Sequence, residues 1–596
     1  MKKIMAFIFA CIISLFSIYN VKAEDYVAKI GETNYATLEE AIKAADDSSI
    51  INLLGEGTLS FNPNKSLTFV GNGKISVKGS EPWNSYRGVL TLKGSGVTFE
   101  WEDDTNSWLM MALSGTINIE DGATMRFKFN SNSTATRNAI YMNAGSVINV
   151  KNGSHLEIIA ETTTNAKGQG IQLDNANKSF INVTGGSTFL IDGTNRGYVN
   201  SPEIYVKDSK FTVRNCTSNG SNGGKFTAIN SEITFYNNGG HGLSATTLDV
   251  EKSNVTTNKN KFYGISIGSK MSVDSTSTII SNENGYGYTG GALRIATSSA
   301  TGYFAAGSKV TFINNHRNAL ENYGTTVFED GVELSITGNK DPKNGAGVFN
   351  GKDGNLTLPI NAVIMNNQST KLGGGVYNKG LVTIPNSVKI YNNHAGNAGD
   401  DIYNNGTITF GNVGTDWYLD GKPDCEDLIN GWYDDSTPYE IDDGTIMGGR
   451  WNAHSENNHI ELVNSGKYEG MIAIKAAHNL EGKVIVHYVD EESSALLEDK
   501  ILTGYEDDSY KTTPEDIEGY TLINTIGNET GKYTSSKTIE VTYVYQFTKG
   551  QGSVDEPVIN PPVEEPPHTS VNTSIYALVL LVNVLGISVL LKKREN

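Results

Sequence analysis

Residues able to carry acid–base chemistry are sparse in this chain and far apart. Glycoside hydrolysis needs two carboxyl groups flanking one bond. Lyase chemistry needs calcium-binding carboxylates beside a base that removes an α-proton. The candidates for such work are His241 in "GGHGLS" (239–244), "YGISIGS" (263–269) and Arg294 in "LRI". The unit before them, "AINSEITFYNN", offers only Glu232. Asp400-Asp401 in "AGDDIYNNG" and Asp442-Asp443 are the adjacent acidic pairs. Neither has an Arg or Lys partner in a matching segment, so both read as solvated turns. Nine histidines form no constellation, and paired-Cys or HExxH metal motifs are absent. The expectation is no catalytic set, no metal and no cofactor.

The elements that would position these residues repeat. The pattern apolar-any-apolar-any-Asn occurs as "FTVRN", "ITFYN", "VTFIN", "AVIMN" and "VKIYN", ending at Asn215, Asn237, Asn314, Asn366 and Asn392. Weaker copies end at Asn258, Asn282 and near Gly338-Asn339. A second series, "LEN", "VFN", "VYN" and "IYN", ends at Asn322, Asn350, Asn378 and Asn404, with gaps of 28, 28 and 26 residues. Two series in step at one period indicate a solenoid. The units show strand alternation without a long 3.6-residue period, so they are short strands separated by Gly, Asn and Asp.

One coil cannot shield its own Val, Ile and Phe. Stacking coils about 4.8 Å apart buries them and satisfies the backbone in parallel sheets. Asn tolerates the left-handed turn conformation, and stacked Asn amides can form ladders. The fold class is therefore all-β, a parallel β-helix over 55–477 with its C-terminal cap. The coils themselves run from about 55 to about 450, and at about 25 residues per coil that is about 16 coils, a stack of roughly 75 Å. Spacing does not write the handedness; the irregular period resembles the right-handed pectate-lyase type. "YATLEEAIKAADDSSIINLL", within residues 24–54, supplies an N-terminal capping helix. There Thr37 and Glu40 form a capping box, and Leu38, Ala41, Ile42 and Ala45 share one face. The aromatic-rich, aperiodic segment "INGWYDDSTPYEIDDGTIMGGRWNAHSENNHIEL" suits the opposite cap. This helix-plus-coil arrangement resembles bacterial pectate-lyase-like adhesive domains. Cys216 and Cys425 lie 209 residues apart, many coils outside disulfide reach, and read as buried unpaired thiols.

His241 with its flanking glycines, and Ile267-Gly268-Ser269, are similar to elements of polygalacturonases. Those hydrolases also use clustered Asp residues, which the preceding coil lacks, and here the two elements fall in successive coils. A glycine turn with a polar His beside it is the favoured reading.

Residues 482–547 change character. Val484, Val486 and Tyr488 alternate, as do Val541, Tyr543 and Tyr545, giving a strand at each end, while Asp490, Gly504, Gly519 and Gly531 stand where turns are expected. "VIVHYVDEE", "LTGYEDDSY", "IEGYTL" and "VTYVY" resemble the MucBP (mucin-binding-protein) repeat of Gram-positive surface proteins. The resemblance implies a small β-rich module associated with mucin or glycan attachment, present once. Residues 548–565 are a Gly, Pro and acidic spacer.

The two chain ends locate the architecture. Residues 1–23 read as a secretory signal, Lys2 and Lys3 before an apolar core, cut between Ala23 and Glu24. Cys11 sits in a poor lipobox. Residues 575–591 are apolar, long enough to span a bilayer, and are followed by Lys592, Lys593 and Arg594. Just upstream stand Pro566, Pro567, His568, Thr569 and Ser570. Pentapeptide, span and basic tail resemble the cell-wall sorting signal of Gram-positive surface proteins. Pro567 and Thr569 match its Leu-Pro-any-Thr-Gly pattern; Pro566 and Ser570 depart from it. The resemblance implies that a sortase cuts after Thr569 and joins Thr569 to peptidoglycan, the membrane being engaged only through the 575–591 span before sorting. Permanent membrane retention is the alternative.

The formal charge is −19, which argues against nucleic acid as a partner. The expectation is an extracellular, wall-anchored, non-catalytic adhesin for host glycans or mucin-type glycoproteins. A surface polysaccharide lyase or hydrolase, or a structural surface rod, stays open beside it.

Overall fold

The computed structural model describes residues 26–77, 82–103, 109–129, 138–160, 168–174, 178–200, 202–287, 289–418, 428–436, 462–477, 481–505, 508–534 and 537–548. Cys11, Cys425, Asp442-Asp443, Ala23, Glu24, residues 566–570 and the 575–591 tract lie outside them. Among the described residues no helix is long and apolar enough to cross a membrane.

The repeated units form a parallel β-helix whose full coils carry three strands. Trp83–Tyr86, Val89–Lys93 and Val97–Asp103 make one coil. Leu109–Leu113, Thr116–Glu120 and Thr124–Phe129 stack on them strand for strand in parallel. One of the resulting sheets contains fourteen strands. Alternation does the sorting: in Thr116–Glu120, Ile117 and Ile119 point inward and are fully buried. Ile148 and Val150 of the next coil lie directly above them in register. Each such side chain contributes about 1.5–3 kcal/mol by leaving water. Phenylalanines follow the same rule, Phe189 stacking on Phe211 with ring centroids 4.4 Å apart.

The corners are harder to build than the strands. A sharp bend strands backbone N–H and C=O groups in a dry interior, where each needs a partner. At two corners the chain uses a left-handed residue followed by a buried polar one. Asn215, Asn237, Asn314, Asn366 and Asn392, the repeat-ending asparagines, all have φ between 52° and 57°. The next residue enters the core. Asn238, Asn260, Asn284, Asn315, Asn339, Asn367 and Asn393 form a continuous ladder, each Nδ2 donating to the next Oδ1 at 2.8 to 3.2 Å. That same Oδ1 also accepts the backbone N–H of the rung below. The second Nδ2 hydrogen goes to a strand carbonyl, as Asn339 to Phe312 O at 3.0 Å. One side chain thus serves the bend of its neighbour and saturates itself.

The ladder ends on Asp401, which accepts from Asn393 at Oδ1 and from the Ala476 backbone N–H at Oδ2. Asp400 and Asp401 are therefore not solvated turns. They are 2% and 1% exposed, and burial pushes the Asp401 carboxyl well up. Where the ladder begins, Cys216 holds the rung position, its backbone N–H donating to Asn238 Oδ1. Its thiol is buried and unpaired, and burial pushes its pKa to about 12.

A serine ladder serves the corner between the other two strands. Ser154, Ser187, Ser209, Ser231, Ser253 and Ser277 each accept the backbone N–H of the rung below. The second Asn series makes a third ladder, Asn322, Asn350, Asn378 and Asn404 joined amide to amide at 2.6 to 2.8 Å.

Both ends of the stack are closed. Helix Leu38–Ala44 carries the capping box of Thr37 and Glu40 and buries Leu38, Ala41 and Ile42. The chain then enters the first sheet as Ser49–Leu53. At the other end Ile402–Phe410, the last parallel strand, pairs antiparallel with Gly466–Ala477, and Gly431–Asp434 pairs with the same strand. A strand of opposite direction cannot seed another coil, so the open edge is occupied.

The segment 481–547 carries its own sheet of four strands, Glu481–Asp490, Lys500–Tyr505, Tyr520–Ile526 and Ile539–Phe547. All six alternating residues, Val484, Val486, Tyr488, Val541, Tyr543 and Tyr545, are buried. Asp490 and Gly519 stand at turns, Gly519 with φ of 81°. Gly504 and Gly531 instead lie within strands. A Cβ at Gly504 would meet the Tyr533 ring at 2.3 Å, and one at Gly531 the Tyr510 ring at 2.8 Å.

Replacing Asn339 by Ala leaves the Asn315 backbone N–H without its acceptor and takes one partner each from Asn315 Nδ2, Asn367 Oδ1 and the Phe312 carbonyl, and should cost about 3 kcal/mol or more. Asn314→Gly keeps the left-handed bend and should change stability by less than about 1 kcal/mol. Denaturant unfolding of the two variants beside the parent protein checks both figures.

Candidate functional site

The strand–loop–strand geometry gathers one group of chemistry-bearing residues on the outer surface. Short strands Leu293–Ile295, Leu320–Asn322, Val348–Asn350, Val376–Asn378 and Ile402–Phe410 stack in parallel. In the first four, the first and third residues turn inward, so the middle one must face out. Register then aligns Arg294, Glu321, Phe349, Tyr377 and Tyr403 in a single column. The three aromatic rings stack on one another 5.4 and 5.6 Å apart.

Beside this column, the loops that follow the Asn ladder bound a cleft of about 250 Å³. Its walls include Tyr263, Arg317, Tyr323, Asp341, Lys343 and Phe349. The ladder itself sets this arrangement. Arg317 stands two residues after rung Asn315, and Asp341 two residues after rung Asn339, so the rungs bring both to the same place in consecutive coils.

Glu321 is the organising group. It accepts the hydroxyls of Tyr263 and Tyr323 and makes an ion pair with Arg294 Nε at 3.3 Å. Arg294 lies over both rings, 5.3 Å from the Tyr263 centroid and 5.6 Å from that of Tyr323. Two rings and one guanidinium are thereby held by a single carboxylate, with cation–π attraction added. Burial and the Glu321 charge push the phenol pKa of Tyr263 up, and that of Tyr323 up to about 12, so both stay protonated donors. Asp341 is buried, which pushes its carboxyl upward. Its Oδ1 accepts the Lys343 N–H at 2.6 Å and fixes the loop that carries Lys343.

His241 and Arg294 belong to this neighbourhood, but not as a catalytic pair. His241 stacks on Tyr263 at 5.6 Å with the planes 7° apart. Burial first, and the Arg294 charge second, push its pKa down to about 4, so the ring is neutral near pH 7. Ile267-Gly268-Ser269 lies one coil above, since Ala245 pairs with Ile267. Asp400 and Asp401 belong to the closing end of the ladder, not to this surface. Among the described residues no group of three or more His, Cys, Asp or Glu side chains could hold a metal ion.

Sequence reading found His241 and Arg294 but missed Arg317, Glu321, Asp341 and Lys343. The signal was available only in register: aligning the buried Asn that follows each left-handed residue puts Arg317 and Asp341 in phase. The first Asn, which dominates the repeat pattern, marks the bend instead.

Residues 483–546 match the MucBP domain family. Internalin J of Listeria monocytogenes serovar 1/2a is 34% identical over 122 residues, covering 20% of this chain and 14% of that protein. Internalin J of the serotype 4b strain is 36% identical over 111 residues, covering 18% and 11% respectively. The chain thus spans 14% or less of the length of these relatives. Together these matches identify a MucBP domain in the C-terminal part of the chain and a limited likeness to Internalin J.

Glu321→Ala should leave the Tyr263 and Tyr323 hydroxyls without their shared acceptor and Arg294 without its ion-pair partner, and lower stability by about 1–3 kcal/mol. Glu321→Gln, which keeps an amide oxygen for a tyrosine hydroxyl, should lose less. Thermal and denaturant unfolding of the two variants gives the comparison.

Proposed function

We propose that this chain is a non-catalytic adhesin, joined to the cell wall of a Gram-positive bacterium and holding host glycans or mucin-type glycoproteins. The observation that carries the reading is the MucBP domain over 483–546, following a β-helix whose outer surface bears an aromatic and cationic cleft. Rigid aromatic faces with a few fixed polar groups suit recognition of sugars, whose rings present both C–H faces and hydroxyls. Single contacts of this kind are weak, and display of many copies on one surface raises the effective affinity. Attachment would follow from residues 566–570, with sortase as the partner and Thr569 as the residue joined to peptidoglycan.

The cleft's carboxylates support binding over turnover. Glu321 is occupied by two hydroxyls and a guanidinium, which leaves it poorly placed to attack or to donate a proton. One observation favours a second reading, a surface polysaccharide lyase or hydrolase: Glu321 and Asp341 border the same cleft, and the Asp341 carboxyl is shifted upward as a general acid would be.

Residues 24–565 should be retained on a mucin-coated plate and on some glycans of an array above an unrelated acidic protein. Retention no greater than that control would sink the adhesin reading. New reducing ends or unsaturated products from pectins, mucin glycans or glycosaminoglycans, with calcium present, would replace it by the enzymatic one. For attachment, Thr569→Ala should move the protein out of the muramidase-released wall fraction. An unchanged wall fraction would remove Thr569 as the linked residue.

A further inference from the structure

We infer that the cleft between Tyr263 and Phe349 binds a sugar carrying a single carboxylate, taking the carboxylate on Arg317 and Lys343 and the ring against the aromatic wall. This deepens the glycan-binding reading and rests on it only for where such a ligand would be met.

Charge is the first ground. The chain carries −19 overall, with 66 acidic against 47 basic residues. Many cations on this surface pair with carboxylates, as Lys309 does with Glu333 and Lys210 with Glu232, while others, such as Lys207 and Lys270, do not among the described residues. At the cleft Arg294 is paired with Glu321. The side chains of Arg317 and Lys343 make no hydrogen bond or ion pair among the described residues, although Arg317 lies close enough for its charge to act on the buried Asp341 carboxyl. The cleft wall itself holds two cations, Arg317 and Lys343, and two carboxyls, Glu321 and Asp341; counting Arg294, which lies behind the wall and pairs with Glu321, three cations stand against two carboxyls. The balance is +1, which one carboxylate cancels. A phosphate dianion would exceed it beside two protein carboxyls. Arginine's planar fork also matches a carboxylate bidentately.

Shape is the second ground. A volume of about 250 Å³ falls below the usual range of about 300–1,000 Å³ for drug-sized ligands and suits one ring rather than an extended chain. Tyr323 and Phe349, with centroids 5.9 Å apart, form a tilted pair at the cleft wall. Tyr323 is held by its hydroxyl bond to Glu321, and Phe349 by its stack on Tyr377. A ring of C–H groups packing there meets surfaces already ordered, so little conformational entropy is lost on binding.

The test uses the full exported chain with paired probes, methyl glucuronide against methyl glucoside and N-acetylneuraminic acid against its methyl ester. Glucose 6-phosphate serves as the dianion. Calorimetry and saturation-transfer NMR should show at least one carboxylated probe binding about tenfold or more tightly than its neutral partner and than the phosphate. Arg317→Met with Lys343→Met should remove about tenfold or more of that affinity while the thermal midpoint stays put. Equal binding of neutral and carboxylated partners, tighter binding of the phosphate, no binding of any carboxylated probe, or an unchanged double variant would each overturn the assignment. Mucin retention measured on the same samples separates this from the adhesin reading. A protein that binds the carboxylated sugar yet is not retained on mucin keeps the cleft assignment and loses the adhesin one; the converse keeps the adhesin reading alone.

Discussion

The structure depends on how a chain turns three corners per coil without leaving a buried N–H alone. Strands in a parallel stack satisfy one another automatically, because each residue bonds to its equivalents above and below. Corners have no such guarantee. Here the solution is covalently simple: a left-handed residue makes the bend, and the side chain after it serves the neighbouring coil's backbone. Serine does this with one oxygen at one corner, and asparagine with an oxygen and two hydrogens at the next. Asparagine can do more because its amide both accepts and donates, so a column of asparagines is complete at every rung except the last. There the Asp401 carboxyl group accepts N–H donors at both oxygens and stops the column against the closing strand.

The same constraint places the outer-surface residues. Rungs fix where each loop leaves the core, so loops of different length and composition still begin in phase. Arg317 and Asp341 come together because Asn315 and Asn339 do, although the loops around them share little sequence. Glu321 then converts phase into rigidity by holding Tyr263, Tyr323 and Arg294 at once. The residues that line the cleft are thus carried by loops whose position is decided in the core.

Much of this was legible in the sequence, and the exceptions have a common cause. Alternating apolar residues, the capping box at Thr37 and Glu40, and the left-handed asparagines follow from local chemistry, and the structure bears them out. What sequence reading merged was the Asn-Asn pair: one residue bends the chain and the next fills the core, and two identical letters conceal two roles. Asp400-Asp401 looked like a solvent turn because acidic pairs usually are; it is buried because a ladder of donors needs an acceptor at its end. Gly504 and Gly531 looked like turns, yet a tyrosine ring lies over each of them. Glu321 was invisible for a related reason. Its role is set by partners 58 residues before and two residues after it, a pairing that only the coil register defines.

Identical rungs also make length negotiable. Asn350, Asn378 and Asn404 meet through the same hydrogen bond, Nδ2 of one amide to Oδ1 of the next, and Asn339, Asn367 and Asn393 do likewise in the neighbouring column. Excising residues 351–378 would bring Asn350 against Asn404, and Asn339 against Asn393, with every donor still opposite an acceptor. A gene encoding such a stack can gain or drop a whole storey by unequal recombination without redesigning its interior.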